Sequence, residues 1–440
     1  MKRLLFPFLL TVAVAGFFGY GYMTASQPAP EARVRASVVP GAEFVNVSTS
    51  VDYYREQIVR HPEVARNYVA LAQVMMQRAR ETADEARYIP QARDLLDEAL
   101  RRSPDEYHAL VLKASLLNTL HQFEEARRLA EQLIARHEGH AYNYGTLVDA
   151  LVELGEYEQA IAVCDRMLAL RPGLPSYARA SYLRELHGDA DGAVAAMQLA
   201  ADAGVAGSAE RAWALYQLGT LYLNQSKPDT AAFVFNGILE EQPGYTRALV
   251  GLAHVHLVKG AYADAIRLLD EAYAEVPNVG FLELLAEAYK ATDETEKQAA
   301  VVQKIREGFL AAEAMGENVD MEYADFLADQ DEDTAEALLR ARRAYERRPD
   351  HLHALETYAW VLYKRGRADE AVPFIERAMR LGTGDAMVHY RAGMIYRAAG
   401  QQAEAARQFE QALAAHLHVE SRSAAREARV LGQALAPRGA

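Results

Sequence analysis

The fold is decided by two adjacent stretches of equal length. Residues 212–245 read AWALYQLGTLYLNQSKPDTAAFVFNGILEEQPGY, and residues 246–279 read TRALVGLAHVHLVKGAYADAIRLLDEAYAEVPNV. Aligned with a step of 34 residues, the two stretches share small and large apolar positions, and each has a proline near its end. Self-similarity with a fixed period of about 20–50 residues indicates a repeat architecture.

The same pattern continues along most of the chain. Successive units are 33 to 39 residues apart and open at Tyr107, Ala141, Leu174, Ala212, Thr246, Val279, Asn318, Leu352 and Ala386. An earlier unit opens near Ala65 and carries about eight extra residues, around positions 78–90, between its helices. About ten units therefore occupy residues 50–415.

These units resemble the tetratricopeptide repeat, in which W-x2-L-G-x2-Y is followed by A-x3-F and then by proline. Residues 212–245 match that pattern at Leu218, Gly219, Tyr222, Ala231, Phe235 and Pro243. The resemblance implies an all-α fold: an α-solenoid, wound as a right-handed superhelix of about ten helix-turn-helix units, with a concave groove. In the unit that opens at Leu174, Ser181 stands at the small-residue position, so we expect looser helix contact there.

The two ends of the chain have their own character. Residues 1–26 contain Lys2 and Arg3 followed by an uncharged run over 4–25, long enough to cross a bilayer of about 30 Å. Two interpretations stay open, a signal-anchor that spans the membrane and a cleaved signal peptide. Both predict export, either anchored to the cytoplasmic membrane and facing the periplasm or outside, or free in the periplasm. Residues 27–49 are proline-containing and predict a tether, and residues 416–440 predict a C-terminal capping helix and tail.

Composition excludes several classes of function. The net charge of −14 argues against a nucleic-acid partner, because phosphate binding needs a basic face. The single cysteine, Cys164, cannot form an intramolecular disulfide, and its position predicts a packing residue. The sequence lacks the common catalytic motifs, and the repeats use up the chain, so we expect neither an enzyme nor a cofactor.

No metal site is expected either. Three His-x-His pairs, such as His254 and His256, point to opposite sides of a helix and cannot chelate one ion. The acidic run that starts at Asp329 resembles a calcium loop. It has Thr334 where that loop needs glycine and Arg340 where it needs glutamate.

The family resemblance also implies where a partner would bind. In tetratricopeptide repeats, positions 2, 5, 9, 12 and 13 of each first helix line the groove. Transferred to this sequence, they give the candidates Tyr142, Tyr182, Trp213, Tyr216, Asn224, His254, Phe326, Trp360, Tyr363, Tyr390 and Arg397. Aromatic residues among polar neighbours favour a protein or peptide partner, and hence a protein–protein interaction scaffold.

Two other classes of function are carbohydrate binding and hydrolysis. A cell-wall or carbohydrate-binding solenoid without catalysis is the alternative, because the two tryptophans can stack on sugar rings. Hydrolysis would require a buried pair of carboxylates with raised pKa values, and the sequence alone reveals no such pair.

Overall fold

The structure is a computed structural model that describes residues 47–82, 84–332 and 334–435. These residues form 22 α-helices and no β-strand. Helix α1 (Val47–Arg60) precedes ten helix pairs, and α22 (Arg422–Leu435) follows them. The pairs are α2 (Ala65–Thr82) with α3 (Glu85–Arg102), α4 (Tyr107–Thr119) with α5 (Phe123–Arg136), α6 (Ala141–Leu154) with α7 (Tyr157–Leu170), α8 (Leu174–Leu186) with α9 (Ala190–Ala203), α10 (Ala209–Asn224) with α11 (Pro228–Glu241), α12 (Thr246–Lys259) with α13 (Tyr262–Glu275), α14 (Val279–Ala291) with α15 (Thr295–Ala314), α16 (Asp320–Asp329) with α17 (Thr334–Arg347), α18 (Leu352–Lys364) with α19 (Ala368–Ala378), and α20 (Ala386–Ala398) with α21 (Gln402–Ala414).

The helix pairs confirm the predicted all-α solenoid. Most first helices begin at the residue where the sequence predicts that a unit opens, and α10 and α16 begin within three residues of it. The prediction for the earliest unit was wrong in one respect, because its extra residues do not form a long connection. They lengthen α2 and α3 to 18 residues each, and Pro90 lies inside α3.

Small residues allow the helices of a unit to cross closely. The Phe235 ring on α11 is fully buried, and a Cβ added to Gly219 on α10 would lie 2.4 Å from it. In the last unit, a Cβ on Gly393 would lie 2.6 Å from the Phe409 ring. No side chain fits at such distances, so glycine is required where the large ring packs.

Ser181 does not loosen its unit as expected. It is buried on α8, and its hydroxyl donates a hydrogen bond of 2.7 Å to the Ala193 carbonyl on α9. The polar group is satisfied across the helix pair, so it contributes to the contact. Cys164 on α7 is buried, as the sequence predicts.

The first helices form the concave side of the solenoid. First helices of neighbouring units contact each other along most of the chain. Arg391 on α20 also reaches Asp325 on α16, two units away, with Nη1 and Oδ1 2.7 Å apart. Such a contact requires strong curvature toward the first helices. We call the surface that they form the inner face.

The solenoid also closes on itself. Turns inside the early units contact segments that precede helices near the C-terminus. The sequence separation is 197 residues for the contact of His121 with Asn318 and 192 residues for the contact of Ser226 with His418. We call this line of contacts the seam. On its turn side it comprises His121, Gly155, Gly188, Ser226 and Gly260, which face Asn318, Asp350, Gly382, His418 and Arg422 respectively.

A further helix covers the C-terminal end of the helix pairs. Helix α22 packs on α21, with Ala424, Ala425 and Ala428 buried. Within the described ranges, no helix is long and apolar enough to cross a membrane. The predicted signal or anchor, residues 1–26, and most of the predicted tether lie outside the described residues.

Candidate partner-binding surface

The structure buries six of the eleven candidate groove residues. These six are Trp213, Tyr216, His254, Phe326, Trp360 and Tyr390. Four others, Tyr142, Tyr182, Tyr363 and Arg397, are partly buried, and Asn224 is exposed. The accessible candidates therefore lie on α6, α8 and α10 and on α18 and α20.

Trp360 belongs to a packed network on α18. Its indole N–H donates to Asp329 Oδ1 at 2.9 Å, and its ring stacks on Tyr363 with the centroids 4.9 Å apart. The Arg391 guanidinium lies 5.0 Å from the ring centroid, within the range of a cation–π interaction. Trp213 is likewise only 4% exposed, in a core formed with α8 and α9. Neither indole has a free face for a sugar in this conformation.

Arg391 is the centre of a buried ionic cluster. Its two terminal nitrogens donate to Asp325 at 2.7 and 3.0 Å, to Glu356 at 3.2 Å and to Asp329 at 3.4 Å. The side chain of Arg391 is 1% exposed. One cation thus faces three carboxylates, which come from α16 and α18 and would repel one another without it.

Two further buried ion pairs involve α6, one with the neighbouring unit and one with a unit 195 residues further along the chain. Arg179 on α8 donates to Asp149 on α6 at 2.8 Å. Arg348, just after α17, donates to Glu153 on α6 at 3.0 Å. Burial raises the pKa of Asp149 to about 6 and that of Glu153 to about 7, although the nearby arginines act in the opposite direction. The loss of solvation thus outweighs the attraction of the arginines.

Glu322 adds a further buried carboxylate on α16. Burial raises its pKa to about 7, and the charges of Asp320 and Asp325 contribute, whereas Arg348 opposes the shift. The inner face therefore carries several carboxylates that titrate near neutral pH, in keeping with the excess of acidic residues in the sequence.

A carboxylate pair of the kind that hydrolysis would need does occur. Glu85 and Glu317 line one cavity with Arg93, and burial raises the pKa of both carboxyls. The cavity volume is about 30 Å³, which is space for one or two water molecules. A substrate such as a peptide or a sugar does not fit there.

The histidines and the acidic run play structural parts. His254 donates to the Val419 carbonyl at 3.1 Å, and burial lowers its pKa to about 4, so the ring is neutral. Asp331 pairs with Lys364 at 2.5 Å, and Asp333 lies outside the described residues. Across the portion of the chain that is described, no three histidine, cysteine or acidic side chains are grouped to hold a metal ion.

The family's groove positions do not predict the buried arginines, for a specific reason. Arg179 and Arg391 each occupy the sixth position of a first helix, which is not among the five positions that line the family's groove. A signal does exist, because Arg179 lies between two alanines and Arg391 lies between Tyr390 and Ala392, and a charge buried among apolar residues requires a partner.

Comparison with known proteins bears on the repeat itself. Tetratricopeptide-repeat family models match residues 117–182, 327–392, 216–279 and 387–416, which together make up half of the chain. The chain belongs to the tetratricopeptide-repeat family. The resemblance found in the sequence is thereby confirmed.

Individual relatives are distant. The chain is 28% identical over 168 residues to cellulose synthase operon protein C of Pseudomonas fluorescens, an alignment that covers 36% of this chain and 13% of that protein. The crystal structure of the APC/C hetero-tetramer Cut9–Hcn1 aligns over 89% of this chain and 93% of that chain, with 14% identity and a TM-score of 0.40. The MamA crystal structure aligns over 37% of this chain and 93% of that chain, with 18% identity and a TM-score of 0.30.

Replacing Arg391 tests the ionic cluster. We expect Arg391→Leu to lower the free energy of unfolding by about 3–5 kcal/mol, because three carboxylates stay buried without their cation. Arg407→Leu is the matched control, since Arg407 lies in the same unit in an exposed pair with Glu404 and should cost less than about 1 kcal/mol. Urea denaturation measures the free energy of unfolding of both variants. Equal decreases would show that the cluster stabilises the fold no more than an exposed ion pair does.

Stability should fall as the pH rises from 6.5 to about 8. A folded pKa of about 7 for Glu322 lies above its ordinary value of 4.5, so the folded state binds more protons than the unfolded state between these values. Burial instead lowers the pKa of His121 and His254 to about 4, which has the opposite effect on stability, but only below about pH 6.5.

The substitution Glu322→Gln removes one of these titrating carboxyls. The fall in melting temperature between pH 6.5 and about 8 should become smaller in this variant, while Glu410→Gln on an exposed surface should leave it unchanged. Thermal unfolding followed by circular dichroism measures the difference. An unchanged fall in the Glu322 variant would mean that this carboxyl is already ionised in the folded protein.

Proposed function

We propose that this protein is an interaction scaffold that binds a protein or peptide partner on its inner face, outside the cytoplasmic membrane. The observation that carries the proposal is the tandem array of tetratricopeptide repeats, which builds an extended concave surface. The repeats account for the described chain almost completely, which leaves little room there for a catalytic domain.

The partly exposed candidates are the proposed points of contact. Tyr142 and Tyr182 lie on α6 and α8, and Tyr363 and Arg397 lie on α18 and α20, the last two first helices. Between them the inner face is rich in carboxylates, of which Asp325 beside Arg391 is partly exposed, whereas Glu322 and Glu356 are buried. A segment with apolar side chains for the tyrosines and basic side chains for the acidic middle fits this arrangement best.

The carbohydrate-binding alternative has lost its main support. It depended on the exposure of Trp213 and Trp360, and both are buried. The tyrosines that stay accessible suit a peptide equally well. No observation favours a glycan over a polypeptide.

Crosslinking tests the partner-binding proposal. A photoreactive amino acid at position 182 or 363 should capture the same protein, whereas one at Phe233 on α11, which is 80% exposed on a second helix, should not. The captured protein, once purified, should bind Tyr182→Ala and Tyr363→Ala at least about tenfold more weakly than the wild type, the effect of losing an aromatic contact worth about 1.4 kcal/mol. Capture that is equal from position 233 would contradict a role of the inner face.

The proposed location rests on residues 1–26 and is tested separately. A C-terminal alkaline phosphatase fusion of the whole chain, made in a bacterial host, should be active, because this reporter folds only after export. The same fusion without residues 4–25 should be inactive. The mass of the mature protein then decides between the anchor and the cleaved signal. Activity without residues 4–25 would refute the export signal.

A further inference from the structure

The seam is formed where particular turns meet particular loops. In each unit from α4 onward, the turn between the two helices of the pair contains one residue with a left-handed backbone conformation. In five consecutive turns that residue faces a loop about one superhelical turn further along the chain. Three of the five are glycines, Gly155, Gly188 and Gly260, and the other two are His121 and Ser226.

The glycines lie where the two edges approach most closely. A Cβ on Gly155 would lie 2.3 Å from the backbone carbon of Asp350, and one on Gly188 would lie 2.4 Å from the Gly382 oxygen. At the same place in the last two units, Gly366 and Gly400 would meet nothing within 4 Å. The close approach is therefore a property of the seam and not of the turn.

The two other turn residues bond across the seam. His121 Nδ1 donates to the Asn318 carbonyl at 2.9 Å, and the Ser226 hydroxyl shares a hydrogen bond of 3.2 Å with His418 Nε2. Beside Gly155, the Tyr157 hydroxyl accepts a bond of 3.0 Å from the Leu352 N–H, and Glu153 pairs with Arg348. Polar contacts predominate among those named, and Leu352, Leu381 and Val419 add apolar contacts.

This composition is typical of an interface that opens. Interfaces between parts of one chain that are polar and modest in area permit relative motion, whereas large apolar ones do not. The seam covers inner-face groups directly, since His254 on α12 lies under Val419 and Glu153 on α6 lies under Arg348. Opening it would uncover both groups and would withdraw Leu352, Leu381 and Val419 from the apolar cores of the early units.

We propose that the seam is a clasp that closes the superhelix over its inner face, and that its opening exposes the end of α6 that carries Glu153 and the part of α12 that carries His254 as further binding surface. The inference rests on the proposed scaffold function for its purpose, but the clasp itself is testable without any partner. Both edges belong to one chain, so the equilibrium between open and closed forms is intramolecular and any ligand of the open form would shift it.

The test compares matched glycine substitutions. Gly155→Ala and Gly188→Ala strain the turn and also push the seam apart, whereas Gly366→Ala and Gly400→Ala strain an equivalent turn alone. The readout is the rate at which diethyl pyrocarbonate modifies His121 and His254 in the full-length protein, resolved by mass spectrometry. Both rings are neutral, buried and hydrogen-bonded across the seam, so modification reports its opening.

We expect modification of both histidines to accelerate about tenfold in the seam variants, the effect of about 1.4 kcal/mol lost from the closed state. The Gly366 and Gly400 variants should match the wild type, and exposed His61 should react equally in all. Equal rates at His254 in all five proteins would overturn the clasp. So would an acceleration in the Gly366 and Gly400 variants as large as in the seam variants, because general strain would then explain it.

A crosslink provides the converse test if the glycine variants fold poorly. In a Cys164→Ala background, Ser226→Cys and His418→Cys are joined by a short bismaleimide across the seam. The joined protein should protect His254 more than the same variant left unjoined, and an equal rate would overturn the clasp. Protection of His254 in a protein that captures no partner would support the clasp while the proposed binding function failed.

Discussion

A pair of helices of about 13 residues cannot bury its apolar face alone, and every other feature of this molecule follows from that constraint. Each unit must pack on its neighbours, and small residues such as Gly219 allow it to do so closely and in nearly the same way each time. A nearly constant step between units accumulates into a superhelix. The closeness of the packing makes that superhelix tight enough for its edges to meet at the seam.

Curvature also explains the buried charges. Side chains on a concave face converge, so carboxylates of neighbouring units crowd together and lose water. Arg391 relieves this repulsion for Asp325, Asp329 and Glu356, and it does so from the sixth position, which in a less curved solenoid would face only its neighbours. The raised pKa values of Asp149 and Glu153 have the same origin, because loss of solvation exceeds the attraction of a single arginine.

What could be predicted from the sequence is what local patterns determine. The starts of α4, α6 and α12 follow from the repeat period and were placed to the residue, and the burial of Cys164 followed from its position in the unit. The burial of Trp360 could not be predicted, because its partner Asp329 lies in another unit. The seam could not be predicted from the sequence either. The contact of His121 with Asn318 spans 197 residues and depends on small rotations summed over six units, which no local pattern encodes.

A closed superhelix changes how binding to such a scaffold must be understood. If only the open form binds a partner, its apparent affinity is the intrinsic affinity multiplied by the open fraction, so a seam worth about 1.4 kcal/mol weakens binding about tenfold. That cost also gives selectivity. A ligand that touches only the accessible residues Tyr142 and Tyr363 gains nothing from opening. A longer ligand that also reaches the covered residues Glu153 and His254 does gain from it. Partner length, and not only partner chemistry, would then decide which proteins this solenoid holds.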